Sequence, residues 1–515
     1  MEYPFYFFAF FLLLSLVIGL VKQWKRSKTV HKLPPGPWKL PIVGNMHQLT
    51  GSRPHYALRK LAQKHGPLMH LQLGEISTIV VSSPRLAKEI MKTHDLDFAN
   101  RAEFLACKIV CYNCSDIVCA PYGEYWRQMR KICTLELLST KNVRSFGCIR
   151  LDEAKHLISS IQAHAAAGEL INLTDHLSTY TSSMVLTAAF RKVSKVHQMT
   201  FLRLLNMESL PISSAFEVSD LFPSYRILHP LSRVKPKLMK VHQRIDKIFD
   251  TIIAEHVENL KRTKRGMGES GNEDLVDVLL RVKESGDLTF PVTNNNIKAV
   301  LTDIFTGGTE TSSTTVEWAM SEMIRNPNVM ATAQNEIRKA FMGMKTIEET
   351  DVEKLPYLKL VIKETLRLHP PIPLLVPRGC REECEIDGYI VPVKTRVMVN
   401  AWAIGRDPKY WDDAESFKPE RFQNNPVDFT GNNFEYLPFG AGRRICPGIS
   451  FGLTNVELPL ALLLYHFDWK LPIGLNYNDL DMTETIAVTA SRENNLLLLA
   501  TMCDPDLALQ PPKEY

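Results

Sequence analysis

This 515-residue chain has no internal repeat, no low-complexity tract and almost no excess of charge of either sign. Its 61 lysines and arginines are nearly balanced by 56 aspartates and glutamates, for a net charge of +5. That imbalance is too small at this length to imply a nucleic-acid partner, and there is no RNA-binding signature, zinc-finger spacing or long basic tail. The ten cysteines do not fall into the spacing of a disulfide framework. Cys111-Tyr-Asn-Cys114 is half of a zinc site, but no second C-x-x-C and no nearby histidine pair completes four ligands. It reads instead as part of a loop over a pocket, and cysteines such as Cys133 and Cys148 read as small buried hydrophobes. What remains is a globular composition, 45% hydrophobic and 23% charged, in a chain long enough to enclose a buried cofactor.

Charge is absent altogether from Tyr3 to Val21, a run long enough to span a bilayer, and Lys22, Lys25, Arg26 and Lys28 follow at once. The positive flank predicts a luminal N-terminus and a cytosolic body. A cleaved secretory signal fits worse, because Glu2 is acidic and no small-x-small site precedes the basic cluster. A cytosolic body keeps its thiols reduced, and the sequons at Asn113 and Asn172 should stay unglycosylated. Leu33-Pro-Pro-Gly-Pro37, Pro41 and Gly44 exclude helix and read as a stiff hinge. The expected division is an anchor at 1–21, a basic and proline-rich hinge at 22–45, and one catalytic domain at 46–515.

Alternating apolar residues between Leu68 and Ser83 predict two short strands joined at Gly74-Glu75. Patterns from Leu86 to Arg281 are mostly helical, with a polar loop at Lys261–Asn272. A long helix is expected from Asn294 to Arg325, closed by Asn326-Pro327, and helices continue to His369. Strands at Gly388–Val399, an irregular stretch from Asp407 to Asn433 and a last helix at Ile449–His466 complete the chain. The fold class is mainly α with small β-sheets, a single α+β body.

The segment richest in chemistry is Phe439-Gly-Ala-Gly-Arg-Arg-Ile-Cys-Pro-Gly448. Its glycines, Gly440 among them, let the backbone approach a ligand closely. Cys446 stands just before a helix, where N–H groups and the helix dipole favour a thiolate. A thiolate on such a loop suits an axial ligand of haem iron, and Arg444 is placed to meet a haem propionate. On the long helix, Asp303-Ile-Phe-Thr-Gly-Gly-Thr-Glu-Thr-Ser312 carries two glycines that cost about 1 kcal/mol each relative to alanine. A ligand lying against the helix would explain them, with Glu310-Thr311 as an acid–alcohol pair for proton transfer. Taken alone, a tolerated glycine pair beside a surface acid is the plainer reading. Gly448-Ile-Ser450-Phe-Gly452 matches a hydrolase nucleophile elbow, but its serine falls at the start of a helix with no strand before it. A non-catalytic, membrane-tethered binding protein would not need the acid–alcohol pair.

The cysteine segment matches F-x-x-G-x-R-x-C-x-G, and with it the whole chain resembles the cytochrome P450 family, most closely plant microsomal members of the 71 clan that hydroxylate terpenoids and alkaloids. The resemblance implies haem b, ligated by Cys446, with Phe439 and Gly440 against it. It implies propionate contacts from Arg444, from Trp126 and Arg130 of a W-x-x-x-R pattern, and from Arg378. Glu310 and Thr311 become the proton-relay pair, and Glu364, Arg367 and Arg421 a buried triad supporting the haem loop. Its substrate-recognition regions map onto the loop from Cys107 to Val118, onto Val300, Asp303, Ile304, Phe305 and Gly308, onto Ile372, Leu374, Leu375 and Val376, and onto Ile486 and Val488. These are mostly apolar, so a sesquiterpene or diterpene is the first expectation and an indole-type alkaloid the second. The implied partners are the bilayer of the endoplasmic reticulum and NADPH-cytochrome P450 reductase, docking near Arg127, Lys131 and Arg443. Three departures stand out: Gly307 where alanine is commoner, Arg191-Lys192 where Gly-Lys is usual, and Ile486-Ala-Val-Thr489 without the usual glycine.

Overall fold

The computed structural model describes residues 32–49, 51, 53–190, 218–225, 234–264, 273–286, 290–344, 346–486 and 489–503. The anchor segment and its basic flank, Arg191, Lys192 and Val488 lie outside the described residues. Among those described, no helix is long and apolar enough to cross a membrane.

The proline-rich segment expected as a hinge is held by the body from Pro35 onward. His70 N donates to Pro35 O (2.9 Å) and Asn45 N to Gln72 O (2.6 Å). Gly36 permits this docking, since a Cβ there would lie 2.0 Å from His70 O. The helix α1 (Pro54–His65) leads into the hairpin β1 (Leu68–Leu73) and β2 (Ile76–Val81), which turns at Gly74 as its residues dictate. β3 (Asn100–Arg101), β5 (Arg378–Gly379) and β8 (Arg396–Val399) complete a five-stranded sheet in the order β1-β2-β8-β5-β3. Its register sets Arg101 directly opposite Arg378, although they are far apart in sequence.

The remaining strands form small satellites. β4 (Ile171–Asn172), β12 (Leu497–Met502) and β9 (Phe467–Lys470) make one sheet. β6 (Cys384–Ile386) pairs with β7 (Tyr389–Val391), and β10 (Glu484–Ile486) with β11 (Ala490–Arg492).

Helices make up the bulk of the body. α2 (Leu105–Val110) and α3 (Glu124–Ile132) flank an irregular loop. α4 (Gly147–Ala167) stops at Gly168, whose left-handed φ of 67° only glycine adopts freely. α5 (Leu173–Ala189), α6 (Val234–Lys264) and α7 (Leu275–Ser285) follow. The expected helix from Asn294 to Arg325 is two helices, α8 (Asn294–Gly308) and α9 (Glu310–Arg325), broken at Thr309. The glycine pair 307–308 weakens the ladder there, and Thr311 Oγ1 donates to the Gly307 carbonyl (2.6 Å). α10 (Pro327–Phe341), α11 (Pro356–Leu368) and α12 (Ile449–His466) follow, with shorter helices among these elements. α9, α10, α11 and α12 share one apolar core with α4 and α5, in which Leu460, Ala461, Leu463 and Leu464 of α12 are fully buried. This core fixes α9 relative to the loop that precedes α12, and the candidate site lies between them.

Candidate functional site

The break in the α8–α9 helix opens one face of it. Gly307 is exposed, and a Cβ added there would meet nothing within 4 Å. Gly308, expected to face a ligand, points the other way: its Cβ would meet Phe451 and Val185 at 3.2 and 3.3 Å. Glu310 follows the break, and its Oε1 accepts from Thr489 Oγ1 at 2.5 Å. Thr489 is 1% exposed and stands directly before β11.

Cys446 is half-buried, three residues before α12. Its amide donates to Phe439 O (3.0 Å), closing the loop between the two residues. Within it Gly442 has φ +71°, and a Cβ there would lie 2.0 Å from Met91 O, so the loop presses onto neighbouring backbone. Burial pushes Cys446 above its ordinary value, against the Gly448 N–H and the Arg130 charge, which pull it down. A bound metal would remove that proton outright.

Four arginines gather around the loop. Arg130 Nη2 donates to Ile445 O (2.5 Å). Arg444 donates to Ala99 O (2.8 Å), Ile117 O (3.2 Å) and Ala120 O (2.5 Å), with its guanidinium 4.2 Å from the centre of the Trp126 ring. Trp126 Nε1 donates to the same Ile117 carbonyl (2.9 Å). Arg378 donates to Asp95 Oδ1 (2.9 Å) and Ala441 O (2.7 Å). Arg101 was not singled out from sequence. It reaches Val118 O (3.0 Å) and Val376 O (2.8 Å) from its place opposite Arg378. Arg444 and Arg101 are held below the ordinary guanidinium range. Burial and then the Arg378 charge bring Arg444 down to about 9, and burial, Arg444 and Arg378 depress Arg101 strongly. Most of these donors end on neutral carbonyls, and Asp95 is the carboxylate that ion-pairs with Arg378. A concentration of buried positive charge with so little counter-charge fits a dianionic ligand. Beside a half-buried cysteine and the open face at Gly307, the donor set suits an iron porphyrin with two propionates.

The apolar walls divide into two kinds. Ile372, Leu374, Leu375 and Val376 are half-buried, and Leu375 lies against Gly440 in the cysteine loop, 3.8 Å from a Cβ placed there. Val300 and Phe305, expected to line the pocket, are 0% and 2% exposed and belong with Ile304 to a packed core cluster. The Asp303 carboxyl is turned to the 116–118 loop, where Oδ2 accepts from Ile117 N (2.7 Å) and Val118 N (3.3 Å). Burial and the adjacent Asp116 push its acidity far from the ordinary carboxylate range, toward the neutral form. Ile486 ends β10.

Behind the loop, Arg367 Nε and Nη2 donate to the two Glu364 oxygens (2.8 Å each), and Arg421 Nε adds a bond to Glu364 Oε1 (2.9 Å). Glu364 and Arg367 are completely buried, and Arg367 Nη1 also reaches Gly405 O and Ala414 O. On the outer side Arg127 is ion-paired with Glu124, and Arg443 lies 3.5 Å from Asp95, while Lys131 is exposed. Two cysteines expected to be alike differ: Cys133 is buried and Cys148 exposed, because Cys148 falls on the outer face of α4. Ser450 sits inside the first turn of α12, so no strand-to-helix elbow presents it.

The cytochrome P450 family model matches residues 34–498. Premnaspirodiene oxygenase of Hyoscyamus muticus is 58% identical over 96% of this chain and 98% of its own. 5-Epiaristolochene 1,3-dihydroxylase of Nicotiana tabacum is 56% identical over 96% and 98%. Tabersonine 3-oxygenase of Catharanthus roseus is 55% identical over 95% and 96%. A zebra fish cytochrome P450 solved with abiraterone superposes with a TM-score of 0.73 at 24% identity, covering 88% of this chain and all of that one, which is a likeness of fold. The chain belongs to the cytochrome P450 family and is a monooxygenase that binds haem through a cysteine thiolate.

Proposed function

We propose that this chain uses O2 and electrons from NADPH to oxidise a hydrophobic plant specialised metabolite, first a sesquiterpene or diterpene, with haem b held by Cys446. The observation that carries the substrate class is the half-buried aliphatic wall Ile372, Leu374, Leu375 and Val376 beside the cysteine loop. The two relatives named for premnaspirodiene and 5-epiaristolochene support a terpene. An indole-type alkaloid is the second reading, favoured by the likeness to tabersonine 3-oxygenase.

Haem, when bound, supplies the binding and reduction of dioxygen. The chain's residues order what surrounds it. Cys446 would offer its sulfur, on the loop that the bond from its amide to Phe439 O closes and that Gly440 keeps free of a side chain. Arg101, Arg130, Arg378 and Arg444 with Trp126 would hold the two propionates, whose charge would offset the repulsion felt by Arg101 and Arg444. Gly307 leaves its helix face open, and Glu310 and Thr311, which follow it, would relay protons to the bound group. Glu364, Arg367 and Arg421 fasten the support behind the loop.

Residues 1–21 anchor the protein in the endoplasmic reticulum membrane as a single pass, with residues 46–515 as the cytosolic catalytic domain and 22–45 leading into it. NADPH-cytochrome P450 reductase docks near Arg127, Lys131 and Arg443. Charge reversal at all three, with no change in reductase affinity, would sink that assignment. For the function itself, membranes carrying the chain and the reductase are supplied with sesquiterpene and diterpene hydrocarbons and an indole alkaloid scaffold under 18O2. An oxygenated terpene carrying the label is expected. Label in the alkaloid alone would hand the case to the second reading.

A further inference from the structure

The roof between α2 and α3 contains a thiol cluster that haem binding does not use. Cys107 and Cys111 are four apart, in α2 and at its end, so they share a helix face, and both are buried. Cys119 reaches them from the loop, with its Sγ 2.6 Å from Cys107 Sγ. The loop bearing Cys119 is the one gripped by the site: Arg101 holds Val118 O, Arg444 holds Ile117 O and Ala120 O, and Asp303 holds the Ile117 and Val118 amides. Asp116 Oδ2 accepts the Cys119 amide (2.9 Å) and so fixes the cysteine's position.

We propose that Cys107 and Cys119 form a peroxide-driven modification site, in which hydrogen peroxide joins them as a disulfide that ties α2 to the roof of the haem site. The cluster divides the chemistry between its members. Hydrogen bonds from Cys111 and Cys119 pull the Cys107 thiol down, toward the thiolate. Cys119, first because it donates to Cys107, is pushed up to about 12 and keeps its proton. The Cys107 sulfur attacks one peroxide oxygen, the O–O bond breaks and hydroxide leaves as water, giving a sulfenic acid. The Cys119 sulfur then attacks Cys107, the S–O bond breaks, and the departing oxygen takes the Cys119 proton as a second molecule of water. In sum, two thiols and one peroxide give one disulfide and two waters, a two-electron exchange. The site rests on the thiol geometry rather than on the substrate reading.

The test is direct, because Lys108 separates the partners on tryptic digestion: Cys107 lies in 102–108, and Cys111, Cys114 and Cys119 lie in 109–127. Reduced full-length holoenzyme in membranes is titrated with hydrogen peroxide, alkylated and digested without reduction. The expected product is a linked peptide pair two hydrogens lighter than the sum, with fragmentation placing the bond on Cys119 and dithiothreitol reversing it. The link should persist in Cys111→Ser and vanish in Cys119→Ser or Cys119→Ala, each checked for haem by its carbon-monoxide difference spectrum. Fragmentation of the unmodified chain assigns the partner even where a variant fails to fold. The proposal is overturned if Cys107 stays free at peroxide doses that already oxidise the exposed Cys148, or if its partner is Cys111 or Cys114.

Discussion

Thr489, directly before β11, donates its hydroxyl to Glu310 Oε1 at 2.5 Å, joining that strand to the acid that follows the helix break. The contact holds the carboxylate at the open face beside Gly307 and restricts which oxygen can pass a proton inward. Thr489→Val should therefore uncouple the reaction, with less product per NADPH and more peroxide, while Thr489→Ser keeps the bond and the coupling. Glu310→Gln, which removes the acid itself, should cost about 10²–10⁴-fold in product formation. Equal coupling in Thr489→Val and Thr489→Ser would make the bond incidental.

Neighbouring glycines should respond in opposite ways. Gly307→Ala adds a methyl where nothing lies within 4 Å and should stabilise the helix by about 1 kcal/mol. Gly308→Ala presses on Phe451, 3% exposed in the core, and Val185, 0% exposed, and overpacking of this kind costs about 1–3 kcal/mol. Thermal melts of the two variants should separate in that order. The methyl at 307 also enters the space expected for substrate, so substrate-induced spectral titrations should weaken for Gly307→Ala.

The buried triad gives a sharper loss. Arg367→Ala would leave Glu364 charged, 0% exposed and without two of its donors. Breaking one side of such a pair costs about 3–5 kcal/mol. The expected outcome is protein lacking the Soret band of bound haem. Arg421→Ala, nearer the surface and backed by carbonyls of Asp412 and Ser416, should lose less. Haem content per chain, measured for both, decides it.

What was readable beforehand follows from how local each signal is. The last helix, Ile449–His466, and the hairpin at Gly74 have the expected bounds because apolar pattern and turn residues settle them locally. The break at Thr309 was not readable, since a glycine pair weakens a helix without fixing where it parts. Arg101 is a lone arginine in a two-residue strand, and only sheet register carries it to Arg378. Thr489 and Glu310 are likewise joined by the packing of β11 against α9, where Trp318 Nε1 donates to Ala490 O. Val300 and Phe305 pack into a core cluster, which their sequence did not show, because an apolar helix face does not say whether core or cavity faces it.

A buried histidine sets a pH window for stability. Burial pulls His369 down, but the hydrogen bonds that its ring N–H groups donate to Glu322 (2.8 Å) and Glu484 (3.3 Å) outweigh it and raise it above 6.5. Glu484, though burial pushes it up, is depressed by His369 and His55. A raised histidine contributes fully below its unfolded value and loses that contribution as pH rises through its folded value. A depressed carboxylate contributes above its own unfolded value and loses it as pH falls through the folded one. The network therefore contributes most between roughly pH 4.5 and 6.5. His369→Gln should lower the melting temperature most in that window, with the gap to the parent closing at alkaline pH. A gap that widens with pH would reverse the assignment.

Arg101 offers the final test, because it separates retention of haem from catalysis. Its guanidinium is strongly disfavoured by burial and by Arg444 and Arg378, a strain that an anion beside it would relieve. Arg101→Gln keeps a donor for the Val118 and Val376 carbonyls while deleting the charge. A hydrogen bond to a charged partner contributes about 1.5–3 kcal/mol, roughly ten- to a hundredfold in an equilibrium constant. Haem should therefore pass from the variant to excess apomyoglobin at least about tenfold faster than from the parent, even where both fold alike. Arg101→Lys, which keeps the charge but loses the planar fork, should fall between them. If all three release haem at one rate, Arg101 serves the roof loop alone, and the propionates belong to Arg378, Arg444 and Arg130.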